Sequence, residues 1–194
     1  MRTLIVTTIV SLDGFVEGPG GNVMALPMDA SFDAYCAERL GTADTMLLGR
    51  RTYDMFRGFW PAVAGDEAAT PAQREISRRD NAICKIVISD RPTGPAALAP
   101  WADTTEVVPR GDAHQRLADL KRGTGGDILI FGSRTLWNDL LVAGLIDELH
   151  LMVGPVVLGS GTPAFATHDV PALQLIGTQT FDGSSNVVLR YRPL

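Results

Sequence analysis

The chain has 194 residues, 45% of them hydrophobic and 20% charged, with a formal net charge of −5 at pH 7. That length fits one domain, 1–194, whose core needs no disulfide or metal staple. The acidic balance argues against a nucleic-acid backbone as partner, and no apolar run approaches the roughly 20 residues that cross a bilayer.

Met1-Arg2-Thr3-Leu4-Ile5-Val6 passes directly into a strand-like run with no small-residue cleavage site, so no signal peptide is read and a cytoplasmic location is expected. Thr3 to Val10 is a continuous β-branched run, the pattern of a buried central strand. Ser11-Leu12-Asp13-Gly14 ends it, and Glu17 to Asn22, with three glycines and a proline, reads as a mobile loop. Ser31 is placed to cap a helix reaching about Leu40, with Phe32, Tyr35, Cys36 and Leu40 on one face. Thr45 to Leu48 is a second strand, and Arg51 to Phe56 opens a second helix. Pro61 to Ala72, polar and alanine-rich, reads as an exposed connection or a frayed helix.

Lys85 to Ser89 is a third buried strand, closed by Asp90-Arg91-Pro92, and Glu106 to Pro109 is a short one. Asp112 caps a helix from Ala113 to about Arg122, which Gly123-Thr124-Gly125-Gly126 stops. Asp127 to Phe131 is again a strand, and Thr135 to Ala143 a helix ended by Gly144. Beyond this point the pattern changes. Glu148 to Val153 is a strand, Pro155 to Gly161 an irregular passage, and Leu173 to Thr180 with Val187 to Arg192 an antiparallel ribbon around Asp182-Gly183-Ser184-Ser185. Strand–helix units followed by a ribbon predict an α/β fold: a single mixed sheet, mostly parallel, with helices on both faces. Cys36 and Cys84 read as two free buried thiols in a reducing compartment, and with three His they make no zinc set.

Two stretches share one grammar: an apolar strand, a glycine, then basic and hydroxyl residues opening a helix. They are Gly49-Arg50-Arg51-Thr52 after Thr45 to Leu48, and Gly132-Ser133-Arg134-Thr135 after Ile128 to Phe131. Such a turn offers free backbone N–H groups, partial positive charge and close backbone approach to an anion. A tight turn without a ligand is the alternative reading of each. Two in one small domain point to a ligand with two phosphates. The G-x-G-x-x-G fingerprint, the P-loop and the G-x-S-x-G elbow are all missing from the sequence.

Gly49-Arg50-Arg51-Thr52-Tyr53 resembles the glycine-arginine-x-threonine motif of dihydrofolate reductases, and Phe131-Gly132-Ser133-Arg134-Thr135-Leu136-Trp137 resembles their second glycine-rich turn. Ser11-Leu12-Asp13-Gly14 and Pro155-Val156-Val157-Leu158-Gly159-Ser160-Gly161 are more similar to the pyrimidine reductase domain of the bifunctional riboflavin-biosynthesis deaminase-reductase, which shares that fold. The four motifs in order cover about residues 3 to 192. The resemblance implies a dihydrofolate-reductase-like fold and an NADPH site. Gly49, Arg50, Arg51 and Thr52 would grip the pyrophosphate and adenosine end, and Gly132, Ser133, Arg134 and Thr135 the pyrophosphate from the other helix. Ser89 and Arg91 would meet the 2′-phosphate.

For the substrate side the resemblance implies a carboxylate near the first helix. An ungapped count from Gly49 puts Asp33 there, with Asp29 one turn earlier; plain first-turn helix chemistry is the alternative for both. Asp13 either shapes its turn with Gly14 or faces the nicotinamide. Phe32 and Tyr35 are core or substrate platform, and Phe15 would lie beside the substrate. Two positions depart from the relatives: Phe15 stands where the riboflavin-type reductase has lysine, and Ser133 where dihydrofolate reductase has a second glycine. The expectation is an NADPH-dependent reductase of a small heterocycle or carbonyl, with no metal and with Glu17 to Asn22 as a lid. The alternatives are a non-catalytic nucleotide-binding module of the same fold or a true dihydrofolate reductase. A homodimer face is expected on the C-terminal ribbon and Leu149 to Leu158.

Overall fold

A computed structural model describes residues 1–166 and 169–194. Eight strands form one sheet in the order β5-β4-β3-β6-β1-β7-β10-β9. These are β1 (Leu4–Ser11), β3 (Ala43–Gly49), β4 (Cys84–Ile88), β5 (Thr105–Val108), β6 (Asp127–Phe131), β7 (Glu148–Gly154), β9 (Leu173–Thr180) and β10 (Val187–Pro193). Two short strands, β2 (Phe15–Glu17) and β8 (Thr162–Pro163), pair antiparallel apart from it. The pairs from β5 through β7 are parallel, while β10 runs antiparallel to both β7 and β9. All eight residues of β1 are buried, as its unbroken apolar run requires of a strand covered on both faces.

Helices α1 (Ala30–Thr42), α2 (Arg50–Val63) and α3 (Pro71–Ala82) cover one face. Cys36, Leu40, Tyr53 and Ile76 pack there against Ile5, Met46, Leu48, Val87 and Leu129. Helices α4 (Ala113–Arg122) and α5 (Arg134–Val142) cover the other, with Leu117, Trp137 and Leu140 against Leu4, Val6, Leu47, Ile128 and Ile130. Alternate β1 residues thus enter different cores, the period-two consequence of a strand buried on both sides.

Several expectations are corrected. Asp29, not Ser31, caps α1, its carboxylate accepting from the N–H groups of Ser31 and Phe32 at 2.9 and 3.2 Å. Asp112 stands at the start of α4 without a side-chain cap bond. The stretch expected as a connection continues α2 through Pro61 to Val63, and a whole helix, α3, follows. Its start was legible: Thr70-Pro71-Ala72-Gln73 forms a reciprocal capping box, with Gln73 N–H to Thr70 Oγ1 at 3.2 Å and Thr70 N–H to Gln73 Oε1 at 3.1 Å. Cys84 is exposed while Cys36 is buried, and both thiols are free. Leu149 and Met152 lie in the core, and β7, between β1 and β10, has no free edge, whereas Val157 in the passage after it is exposed. The open edge of the ribbon is β9, where Leu175 is exposed.

Candidate active site

Chain direction in the sheet determines where a crevice opens. From β3 the chain moves outward to β4, and from β6 it crosses β1 to reach β7. Neighbouring parallel strands β3 and β6 therefore diverge at their carboxyl ends, where ligands bind in open α/β sheets. Those ends carry the two helix-opening turns. Gly49 is the residue before α2, and Gly132 with Ser133 precedes α5. Neither helix has a side-chain cap or an acidic residue in its first turn, so their free N–H groups and partial positive charge face the crevice.

The turns are locked to each other. Gly49 N–H donates to Ser133 Oγ at 3.0 Å, and Ser133 N–H donates to Thr52 Oγ1 at 3.2 Å. Gly132 has φ +54° and Ser133 φ +50°, left-handed backbone that favours glycine at the first and tolerates serine at the second only with support. The serine that departs from the family pattern thus supplies the cross-link between the sites.

One cavity of about 990 Å³ opens here, lined by Gly49 to Thr52 and Gly132 to Leu136 together with Thr7 to Ile9, Val16 and Glu17. Phe32, Met55, Phe56, Trp60, Ile76 and Asp80 line its part under α1, α2 and α3, and Arg110, Gly111 and His114 line the opposite rim. Of the expected cofactor residues, the structure brings together Gly49, Arg50, Arg51, Thr52, Gly132, Ser133, Arg134 and Thr135. Ser89 and Arg91 are not among the lining residues; Arg91 N–H donates to Ser89 Oγ at 3.1 Å instead. Strand β4 ends at Ile88, which lines the cavity, as do Arg110 and Gly111.

The arginines also brace the walls. Arg50 donates to Asp54 Oδ2 at 2.9 Å and to Thr93 Oγ1 at 2.7 Å. Arg51 pairs with Glu17 at 3.2 Å, and Glu17 accepts from Thr162 Oγ1 at 2.8 Å. Arg134 holds the carbonyls of Pro163 and Phe165. The expected loop, Glu17 to Asn22, holds a short 3₁₀ turn, Pro19–Gly21, closed by a bridge between Gly18 and Asn22, and a second 3₁₀ turn, Val23–Ala25, follows it.

The expected acids sit elsewhere. Asp13 does not line the cavity; its carboxylate accepts from Ser11 Oγ at 2.7 Å and from the N–H groups of Leu158 and Gly159 at 3.1 and 2.7 Å. These bonds, Ser11 foremost, hold its pKa down to about 2, and the group clamps the irregular 155–161 passage. Asp33 is also outside the lining, and Gln73 Nε2 donates to it at 2.9 Å; burial pushes its carboxyl up. Phe15 pairs with Pro163 and leaves the cavity wall to Val16, whereas Phe32 lines the cavity. Tyr35 is core, its hydroxyl 2.8 Å from His150 Nδ1.

The acids on the cavity lining are Glu17, Asp139 and Asp80, and sequence reasoning passed over Asp80 inside the charged stretch Arg78-Arg79-Asp80. Its i, i+4 spacing from Ile76 was the available signal, since both fall on the buried face of α3. Burial pushes Asp80 up to about 7, with Lys85 pulling in the other direction. Among the described residues there is no His/Cys/Asp/Glu group able to hold a metal ion, and no helix long and apolar enough to cross a membrane.

The chain has a mixed α/β fold of dihydrofolate-reductase-like architecture, with two joined helix N-termini on the rim of one cavity. The RibD C-terminal domain family matches residues 2–188, and the chain belongs to that family, one of reductase type. It is 30% identical over 190 residues to the uncharacterized protein YyaP of Bacillus subtilis (strain 168), covering 96% of this chain and 92% of that one. A crystal structure of a Shewanella sp. PV-4 protein named for riboflavin biosynthesis superposes with TM-score 0.71 at 22% identity, covering 100% and 99% of the two chains. Dihydrofolate reductase from Enterococcus faecalis, complexed with NADP(H), superposes with TM-score 0.59 at 18% identity, covering 98% and 96%.

Proposed function

We propose that this protein is an NADPH-dependent reductase of a small heterocycle or carbonyl compound. The observation that carries the reading is the Gly49–Ser133 hydrogen bond, which holds two uncapped helix N-termini side by side on one cavity. Converging N–H groups with Arg50, Arg51 and Arg134 suit the two charges of a pyrophosphate. A Cβ at Gly49 would meet Ser133 Oγ at an ordinary 3.8 Å, so packing alone does not demand glycine there; close approach of an anion does. The dinucleotide of the E. faecalis relative fits this residue set.

When bound, the nicotinamide would supply a hydride; the work of the chain is to hold, orient and exclude water. Thr52 and Ser133 fix the turns in advance, so little ordering is left for the ligand to impose. Arg110 and His114 are the groups positioned to read a 2′-phosphate. Glu17, held between Arg51 and Thr162, fastens the Val16 to Leu26 segment over one side as a lid. With Phe15 outside the cavity and no cation after Asp13, a ribose-phosphate substrate is disfavoured against a small uncharged or N–H-bearing one. A reducing cytoplasm suits the exposed free thiol of Cys84, and the open β9 edge is the surface for a homodimer.

Calorimetric titration with NADPH and NADH tests the reading, followed by NADPH oxidation against pteridines, aminopyrimidines and simple carbonyls. Saturable binding with NADPH preferred, and turnover of one class, is expected. No binding at millimolar NADPH overturns the proposal, and tight binding without turnover assigns a nucleotide-binding module instead.

A further inference from the structure

His150, on β7, is fully buried, and both of its ring nitrogens have a partner. Nε2 lies 2.8 Å from Glu148 Oε2 on the same strand, and Nδ1 lies 2.8 Å from the Tyr35 hydroxyl on α1. A carboxylate can only accept, so Nε2 carries the proton of the neutral ring. Nδ1 is then a lone pair, and the Tyr35 O–H donates to it. Burial pushes the Tyr35 phenol up to about 12, so this hydroxyl keeps its proton. Among the described residues, no other side-chain hydrogen bond joins α1 to a strand of the sheet; its remaining ones reach Gln73 and the 184–186 turn. Phe32 and Cys36, which flank Tyr35 on that helix, line the cavity. One buried hydroxyl thus ties a wall of the cavity to the sheet.

Protonation of the ring reverses the bond. With a proton on each nitrogen the imidazolium can only donate, so Tyr35 Oη must accept from Nδ1. Its own proton is then left without an acceptor among the described residues, a costly state for a buried donor. The added charge also enters a site that already holds two cations. Facing His150 are Tyr35 and Arg39 from α1, Glu148 from β7 and Arg190 from β10, and β1 places only Thr7, which does not titrate, in register with it. Arg39 lies over the Tyr35 ring at 5.5 Å. Gly177 on β9 makes room for Arg190, since a Cβ there would stand 2.5 Å from its Nη2. The buried Nε atoms of both arginines have no described partner, so neither charge is fully compensated.

We propose that the Tyr35–His150–Glu148 chain is an acid-sensitive anchor of α1: neutral His150 holds the helix on the sheet, and protonated His150 releases Tyr35 and with it the Phe32 side of the cavity. The anchor is independent of what the cavity binds. Burial pushes His150 below its ordinary 6.5, Glu148 pulls it up, and Arg39 and Arg190 push it down. The anchor is therefore intact above 6.5 and is lost as pH falls below that value.

Backbone hydrogen exchange of the full chain from pH 8 to 4, corrected for intrinsic rates, tests the proposal, with the His150 ring titrated by NMR alongside. In the wild type the amides from Tyr35 to Leu40 lose protection by about tenfold for each pH unit below the ring's transition, while α4, on the opposite face of the sheet, keeps its protection. His150→Gln offers one donor toward Glu148 and one acceptor toward Tyr35 but does not titrate, so its α1 profile is flat. Tyr35→Phe has no hydroxyl to strand and loses most of the slope; it carries the comparison by itself if His150→Gln does not fold. Protection of α1 that stays constant through the ring's transition overturns the proposal, as does a wild-type slope in either variant. Parallel loss in α1 and α4 is global unfolding and overturns it as well.

Discussion

Gly49 N–H donates to Ser133 Oγ across 3.0 Å and so joins positions 84 residues apart in the chain. The contact turns two ordinary strand-to-helix turns into one rim. Ser133→Ala leaves the partly buried Gly49 N–H without its acceptor, which costs about 1 kcal/mol of stability. NADPH affinity falls several-fold in the same variant. Gly132→Ala adds a Cβ in ordinary contact with Thr52, 3.6 Å from Cγ2, so its penalty of about 1–2 kcal/mol comes from the left-handed backbone. Urea unfolding with a parallel NADPH titration measures both; an unchanged midpoint for Gly132→Ala contradicts the backbone argument.

On the proposed reading, cofactor preference separates Arg110 from Arg91. Arg110 lines the cavity, 3.5 Å from Asp90, whereas Arg91 does not line it. Arg110→Ala lowers NADPH affinity more than NADH affinity, by about tenfold as expected for a lost charge-assisted phosphate contact. Arg91→Ala changes neither. Equal losses of both cofactors in Arg110→Ala would assign it to the wall rather than to phosphate recognition.

Asp80 makes stability depend on pH in an unusual direction. Its folded-state pKa is raised from 3.8 to about 7, so the folded protein binds the extra proton between those values. The contribution is fully present below about 4 and is lost as pH rises through 7, at roughly 1.4 kcal/mol for each pH unit between. Comparison of wild type with Asp80→Asn from pH 4 to 8 isolates it: the variant gains relative stability as pH rises. Parallel curves would mean that Asp80 is ionised or paired throughout.

Asp13 behaves oppositely. With its pKa held down to about 2, its clamp on Leu158 and Gly159 is present above the ordinary carboxylate range and is lost as pH falls through 2. Asp13→Ala accelerates hydrogen exchange of the Leu158 and Gly159 amides at neutral pH. The 155–161 passage packs tightly against the segment after β2: at Gly161, φ +143°, a Cβ would collide with the Glu17 carbonyl. Loosening it therefore also disturbs the Glu17–Thr162 contact, and NADPH affinity falls modestly. Unchanged exchange at both amides would remove the clamp.

Local signals made the sheet legible. The β-branched run of β1, the apolar β3 and β6, and the glycines after them depend only on neighbours in sequence, and the two strand-to-helix turns came with them. Helix α3 was missed because its apolar face is narrow, Ile76 standing among charged residues, although the Thr70–Gln73 capping box marked its start. Asp13 and Asp33 are polar residues beside the motifs, yet neither lines the cavity, and each is hydrogen-bonded to a partner distant in sequence, Gly159 and Gln73.

The sequence by itself determined the fold, the family and the two glycine turns, because hydrophobic period and turn chemistry are local properties of the chain. The tertiary structure alone decided that the turns share one cavity, that Arg110 rather than Arg91 lines its rim, and that a buried carboxyl, Asp80, lies along it. Burial and pairing are set by residues brought together across the chain, and a carboxyl as deeply buried as that of Asp80 titrates differently from one in water however similar its sequence neighbours look.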